Sequence, residues 1–145
     1  MWRTWVLLAG LVIGLAACGG GSGTISVVDA WSAPTPPTAR VAAVYVSIEN
    51  DTGADDAIVS ASTDRCGRVE LHATQIDENN VMTMRPAGLE LLTIPSGGVV
   101  EMMPGGLHIM CLDLREPLVA GETIPLAIVL ASGTTLSVDV PVEQR

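Results

Sequence analysis

Val41-Ala-Ala-Val-Tyr-Val-Ser-Ile48 is an unbroken run of strand-forming residues that stops at Glu49-Asn-Asp-Thr-Gly53, a cluster of turn formers. β-Branched and aromatic side chains fit a pleated surface, and Asn, Asp and Gly let the chain reverse after it. Working outward, short apolar runs and turn residues alternate along the chain, and no stretch sustains an apolar period of about 3.6 residues. Strands are predicted over 24–30, 57–62, 69–76, 81–85, 89–94, 99–103, 107–114, 123–130 and 134–140. Turn chemistry separates them at Asp77-Glu-Asn-Asn80, Pro95-Ser-Gly-Gly98, Pro104-Gly-Gly106 and Ser132-Gly133. Roughly nine short strands with Gly/Pro turns predict an all-β sandwich or barrel. Pro34-Thr-Pro-Pro37 cannot be a central strand, because proline donates no ladder hydrogen bond, and it reads as a polyproline-like crossover along an edge.

The N-terminal end reads as a targeting segment. Arg3 is the positive region, Val6 to Ala17 the apolar stretch, and Leu15-Ala-Ala-Cys18 the cleavage box of a bacterial lipoprotein. The apolar run falls short of the about 20 residues that a spanning helix needs. The expected organisation is a signal peptide over 1–17, a lipidated Cys18 with a Gly/Ser tether to residue 23, and one domain over 24–145. Such a chain is extracytoplasmic, bound to a membrane through its lipid alone, and expected to be a monomer. It has seven basic residues, all arginine, against 16 acids. Loss of Arg3 leaves a mature charge of 6 − 16 = −10. That balance excludes nucleic acid as a partner, since phosphate contacts need a basic face.

Five of the six methionines, at 82, 84, 102, 103 and 110, fall between Met82 and Met110, and so does one of the two histidines. A thioether is soft and does not titrate, so it favours Cu(I), and imidazole accepts the same ion. Residues i and i+2 of a strand share a face, so His108 and Met110 point the same way. In the hairpin before them, a three-residue loop at 77–79 sets His72 opposite Met84. Opposed side chains have Cβ atoms about 4.5 to 5.5 Å apart, near enough to share one ion. Met82 lies on the same face as a reserve ligand.

Ala30-Trp31, Pro36-Pro37, Val41-Ala-Ala-Val-Tyr45, Val69-Glu-Leu-His72, Met82-Thr-Met84-Arg-Pro86, Pro95-Ser-Gly-Gly98 and Pro104-Gly-Gly-Leu-His-Ile-Met110 resemble the periplasmic copper chaperone family known as PCuAC. The resemblance covers residues from about 29 to 140. It implies a cupredoxin-like Greek-key β-sandwich that holds Cu(I) and hands it to the Cu-A subunit of cytochrome c oxidase or to another relay protein. Carried over residue by residue, its ligands are His72, Met84, His108 and Met110. The spacings between His72 and Met84 and between Met84 and His108 are slightly longer than the family's, and both extensions fall in predicted turns.

Cys66 and Cys111 allow two readings. Thiols outside the cytoplasm tend to pair, which makes a disulfide the natural one, although connectivity does not follow from sequence. A copper-bound thiolate in a blue-copper electron-transfer site is the other, but Cys111 neighbours Met110 and should face the opposite way. A metal-free structural lipoprotein is a third possibility for the chain as a whole. No Gly-x-Ser-x-Gly, His-Glu-x-x-His or phosphate-binding glycine loop supports catalysis, so a non-enzyme is expected. The acidic pairs Asp55-Asp56 and Asp77-Glu78 read as solvated turn residues.

Overall fold

The computed structural model describes residues 23–88 and 92–145, so the signal segment, Cys18 and most of the tether lie outside the described residues. Ten strands follow in chain order: β1 (Ile25–Ser32), β2 (Val41–Asn50), β3 (Asp56–Ser62), β4 (Cys66–Ile76), β5 (Met82–Pro86), β6 (Thr93–Ile94), β7 (Gly98–Glu101), β8 (Leu107–Leu114), β9 (Thr123–Leu130) and β10 (Thr135–Pro141). The strand expected over 89–94 falls partly outside the described residues, and its described part is the two-residue β6. No described helix is long and apolar enough to cross a membrane.

The strands form two antiparallel sheets. One runs β1-β2-β8-β4-β5, with β7 pairing β2 beyond the end of β8, and the other runs β10-β9-β3-β6. The Val41–Ile48 run, in β2, organises the six-stranded sheet. Ala42, Val44, Val46 and Ile48 of β2 are buried, whereas Ala43, Tyr45 and Ser47 are only half-buried on the other face. The buried set packs with Ile109 and Cys111 of β8, Ile58 of β3, Leu126, Ile128 and Leu130 of β9 and Val140 of β10. Each fully buried aliphatic side chain stabilises the fold by about 1.5 to 3 kcal/mol. The core thus fills the space between the sheets, and the outer face of the six-stranded sheet is left to other work.

Strict alternation along β4 and β8 would put Cys66 and Leu114 on that outer face with His72 and His108. Both are instead buried. The reversal occurs at Asp113, which adopts φ 52°, in the left-handed region that a non-glycine residue enters reluctantly. Gly67 lies across from it, and a Cβ there would stand 2.9 Å from the Asp113 Cβ, so the close approach needs glycine. Beyond the kink Cys66 turns inward and forms a disulfide with Cys111, with a Cα–Cα distance of 5.5 Å.

The acidic turn pairs fare differently from one another. Asp56 is buried rather than solvated, and its Oδ1 accepts the backbone N–H groups of Ala57 and Ser132. Asp77 stays exposed and serves the hairpin described below.

Replacing both cysteines, as Cys66→Ser with Cys111→Ser, is expected to lower unfolding stability by about 2 to 5 kcal/mol. Chemical denaturation of the full chain measures it, and a loss below the noise would show that the bridge constrains nothing.

Candidate metal centre

Strands β4 and β8 pair in a register that sets Glu70 opposite Met110 and His72 opposite His108. Directly opposed residues share a face. All four side chains therefore stand on the outer face of the sheet, away from the core. The two imidazoles meet edge to face, with ring centroids 6.1 Å apart.

The start of β8 is fixed by the Pro104-Gly-Gly106 turn. Gly106 N–H donates to Met103 O at 3.0 Å, Met103 N–H donates to Leu107 O at 3.0 Å, and Gly105 takes φ 81°. Proline and then a positive-φ glycine at the two central positions is type II turn chemistry. The Gly106 carbonyl then accepts the Thr74 N–H at 3.1 Å and lies 3.0 Å from His108 Nδ1. A carbonyl can only accept, so His108 carries its proton on Nδ1 and its lone pair on Nε2.

His72 is held the other way round. Its Nε2 lies 2.7 Å from Glu70 Oε2, and the other Glu70 oxygen accepts Arg68 Nε–H at 2.8 Å. The hydrogen bond to His72, together with the charges of Arg68 and His72, draws the Glu70 carboxyl below its ordinary range, and a carboxylate oxygen can only accept. The neutral form of His72 in this arrangement has its proton on Nε2 and its lone pair on Nδ1. Both lone-pair nitrogens, His72 Nδ1 and His108 Nε2, are buried and have no hydrogen-bond partner.

The hairpin differs from the expectation. Thr74, not His72, lies opposite Met84; His72 pairs Pro86, and Ile76 pairs Met82. The three-residue loop is 78–80 rather than 77–79, closed by Asp77 N–H to Val81 O at 3.0 Å. Asp77 Oδ1 accepts the N–H groups of Asn79 and Val81, and Asn80 supplies the left-handed residue with φ 62°. Each partner shifts by two residues, which preserves the face. Met84 thus remains on the imidazole face, but diagonal to His72 at a typical Cβ separation of about 7 to 8 Å. A long side chain spans that distance.

The other methionines separate by position. Met110 is half-buried beside His108. Met84 and Met82 are 61% and 64% exposed on the edge strand, with Met82 one row further from the histidines. Met102 is buried in the core, and Met103 is exposed at the turn. Sequence reasoning missed Glu70, although its spacing of two from His72 puts it on the same face. It also missed Tyr45, whose ring lies 6.4 Å from that of His108 and 4.7 Å from that of Trp31. These rings wall the site on the β2 side, and burial raises the Tyr45 hydroxyl above its usual range.

The residues present fit a soft monovalent ion. Two imidazoles each leave one buried nitrogen unpartnered, and thioethers stand on the same face. Among the described residues no three His, Cys, Asp or Glu side chains converge as a metal set. Cys111 is bridged to Cys66 on the core side, so its sulfur is not a thiolate ligand in this structure.

Residues 25–142 match the family model described as "LpqE-like: Putative lipoprotein LpqE-like". "Putative lipoprotein Lxx21020" of Leifsonia xyli subsp. xyli (strain CTCB07) is 32% identical over 101 residues, 70% of this chain and 60% of its own. "Uncharacterized protein RP573" of Rickettsia prowazekii (strain Madrid E) is 28% identical over 122 residues, 81% of this chain. The chain spans 60% and 66% of the lengths of these two relatives. Among solved structures, that of CuI-DR1885 from Deinococcus radiodurans is 29% identical with a TM-score of 0.66, covering 90% of this chain and 86% of that one. A copper-bound PCuAC domain from PmoF2, 18% identical, shares the fold with a TM-score of 0.67 over 83% of this chain and 93% of its own.

The observed hairpin register is testable with paired cysteines. Disulfides need Cα atoms about 4.4 to 6.8 Å apart, which directly opposed residues satisfy and diagonal ones exceed. Thr74→Cys with Met84→Cys should therefore cross-link on mild oxidation, read by intact mass, and His72→Cys with Met84→Cys should not. The reverse outcome would restore the loop at 77–79.

Proposed function

Because the chain belongs to the LpqE-like family, of the PCuAC type, we propose that it is a copper chaperone that holds Cu(I) as cargo. The observation that carries this reading is the pair of opposed imidazoles, each with one nitrogen held by a protein acceptor and the other buried and unpartnered. A metal-ligating histidine characteristically has its second nitrogen fixed in this way. The ligand set is His72, His108, Met84 and Met110, with Met82 in reserve. Thioethers select the monovalent ion, and imidazoles strengthen its binding without adding charge.

Exposure of Met84 on the edge strand gives the release step its direction. His108 is buried and Met110 half-buried, so the outermost donor is Met84, the one an incoming ligand of an acceptor displaces first. Copper remains Cu(I) throughout, and only its ligands exchange. The acceptor is the Cu-A subunit of cytochrome c oxidase or another relay protein. The chain works outside the cytoplasm as a lipoprotein, tethered through Cys18 and the glycine-rich segment after it, and the charge balance leaves the lipid as its hold on the membrane. It performs no catalysis in this reading. An electron-transfer cupredoxin finds no support in a site whose nearby cysteine is bridged on the core side.

Titration of the full chain with Cu(I) against a competing chelator should give one tight equivalent, and Cu(II) should bind more weakly. His72→Ala, His108→Ala, Met84→Ala and Met110→Ala should each weaken that affinity, whereas Met82→Ala and Met103→Ala should leave it unchanged. Met102→Ala should instead lower stability by about 2 to 5 kcal/mol, the cost of emptying a core site. Zero stoichiometry, or tighter Cu(II) binding, would overturn the chaperone reading. Cys18→Ser should release the protein from the membrane fraction, and retention there would refute the lipid anchor.

A further inference from the structure

Glu70 fixes one of the two imidazoles through a side chain, whereas a backbone carbonyl fixes the other. Glu70 stands opposite Met110 and two residues before His72, on the imidazole face, with one oxygen on His72 Nε2 at 2.7 Å and the other on Arg68 Nε at 2.8 Å. A neutral imidazole has one lone pair, and the two tautomers put it on different nitrogens. A carboxylate beside Nε2 repels a lone pair there and accepts a proton from it, so Glu70 selects the tautomer whose lone pair is on Nδ1. That nitrogen is buried and unpartnered. His108 is fixed in the opposite tautomer by a backbone carbonyl, and its free nitrogen is Nε2. Arg68 occupies the second Glu70 oxygen.

We propose that Glu70 is a positioning residue for the cargo ion: it makes His72 bind Cu(I) through Nδ1 while His108 binds through Nε2. The pair is thus asymmetric by construction. The backbone sets one imidazole, and a replaceable side chain sets the other. This assignment rests on the copper reading, but the tautomers exist without metal and can be read separately.

Long-range proton–nitrogen NMR of the metal-free full chain should show His72 as the Nε2–H tautomer and His108 as the Nδ1–H tautomer. One equivalent of Cu(I) should then shift His72 Nδ1 and His108 Nε2. Glu70→Ala should mix the His72 tautomers and weaken Cu(I) binding by about 10- to 100-fold, the usual loss when a ligand's hydrogen-bond partner is removed. Glu70→Gln, which keeps an acceptor oxygen, should restore the tautomer and most of the affinity. The wild-type spectra need no variant, so a misfolded Glu70→Ala chain does not remove the test. A shift on His72 Nε2, an Nδ1–H tautomer at His72 before copper is added, or unchanged affinity in Glu70→Ala would overturn the positioning role and leave the chaperone reading standing. If Cu(I) moves no imidazole nitrogen although the tautomers are as described, the copper reading itself fails, and this ligand assignment with it.

Discussion

The antiparallel register of β4 on β8 is the constraint from which both the core and the site follow. β8 lies between β2 and β4, and its alternation sends Ile109 and Cys111 into the core and His108 and Met110 outward. Because the side-chain period is two, a slip of one residue in β4 would turn His72 inward and expose Leu71 and Ala73. The hydrophobic face therefore enforces the opposition of the two imidazoles. The Cys66–Cys111 bridge fastens the same two strands just beyond the site, where the Asp113 kink has turned Cys66 into the core. Packing energy between the sheets is thus what preorganises the donors on the outside.

The site also carries a cost that a purely structural role leaves unexplained. A buried polar atom without a partner forfeits about 1 to 3 kcal/mol. His72 Nδ1 and His108 Nε2 are two such atoms, on rings whose centroids are 6.1 Å apart. A bound ion ligated by both would relieve both. The remaining donors are thioethers, which lose little by waiting exposed because they have no strong hydrogen bonds to satisfy. That division would suit the proposed carrier, with buried imidazoles to hold the cargo and accessible sulfurs to let it enter and leave.

Much of this was legible in the chain. The β2 run, the spacing of two between His108 and Met110, and the inward direction of Cys111 all follow from strand periodicity. The hairpin register did not, because Asp77-Glu-Asn-Asn80 offers turn formers in succession and two loops of equal length satisfy the same chemistry. The Asp77 carboxylate, closing on Asn79 and Val81, chose between them. Its effect was a shift of two, so the face survived while the directly opposed partner of Met84 changed. The inward turn of Cys66 was hidden for a different reason, since nothing in the sequence marks Asp113 as left-handed. Glu70 was one acid among 16, distinguished only by the neighbours that folding gives it.

The central claim is that one Cu(I) is shared by two imidazoles and two thioethers on the outer face of the six-stranded sheet. X-ray absorption of the full chain loaded with one equivalent of Cu(I) reads those donors directly. A mixed shell of two nitrogen and two sulfur scatterers is expected, with the outer-shell scattering that imidazole rings produce. A shell of sulfur alone, or of nitrogen and oxygen with no sulfur, would contradict it.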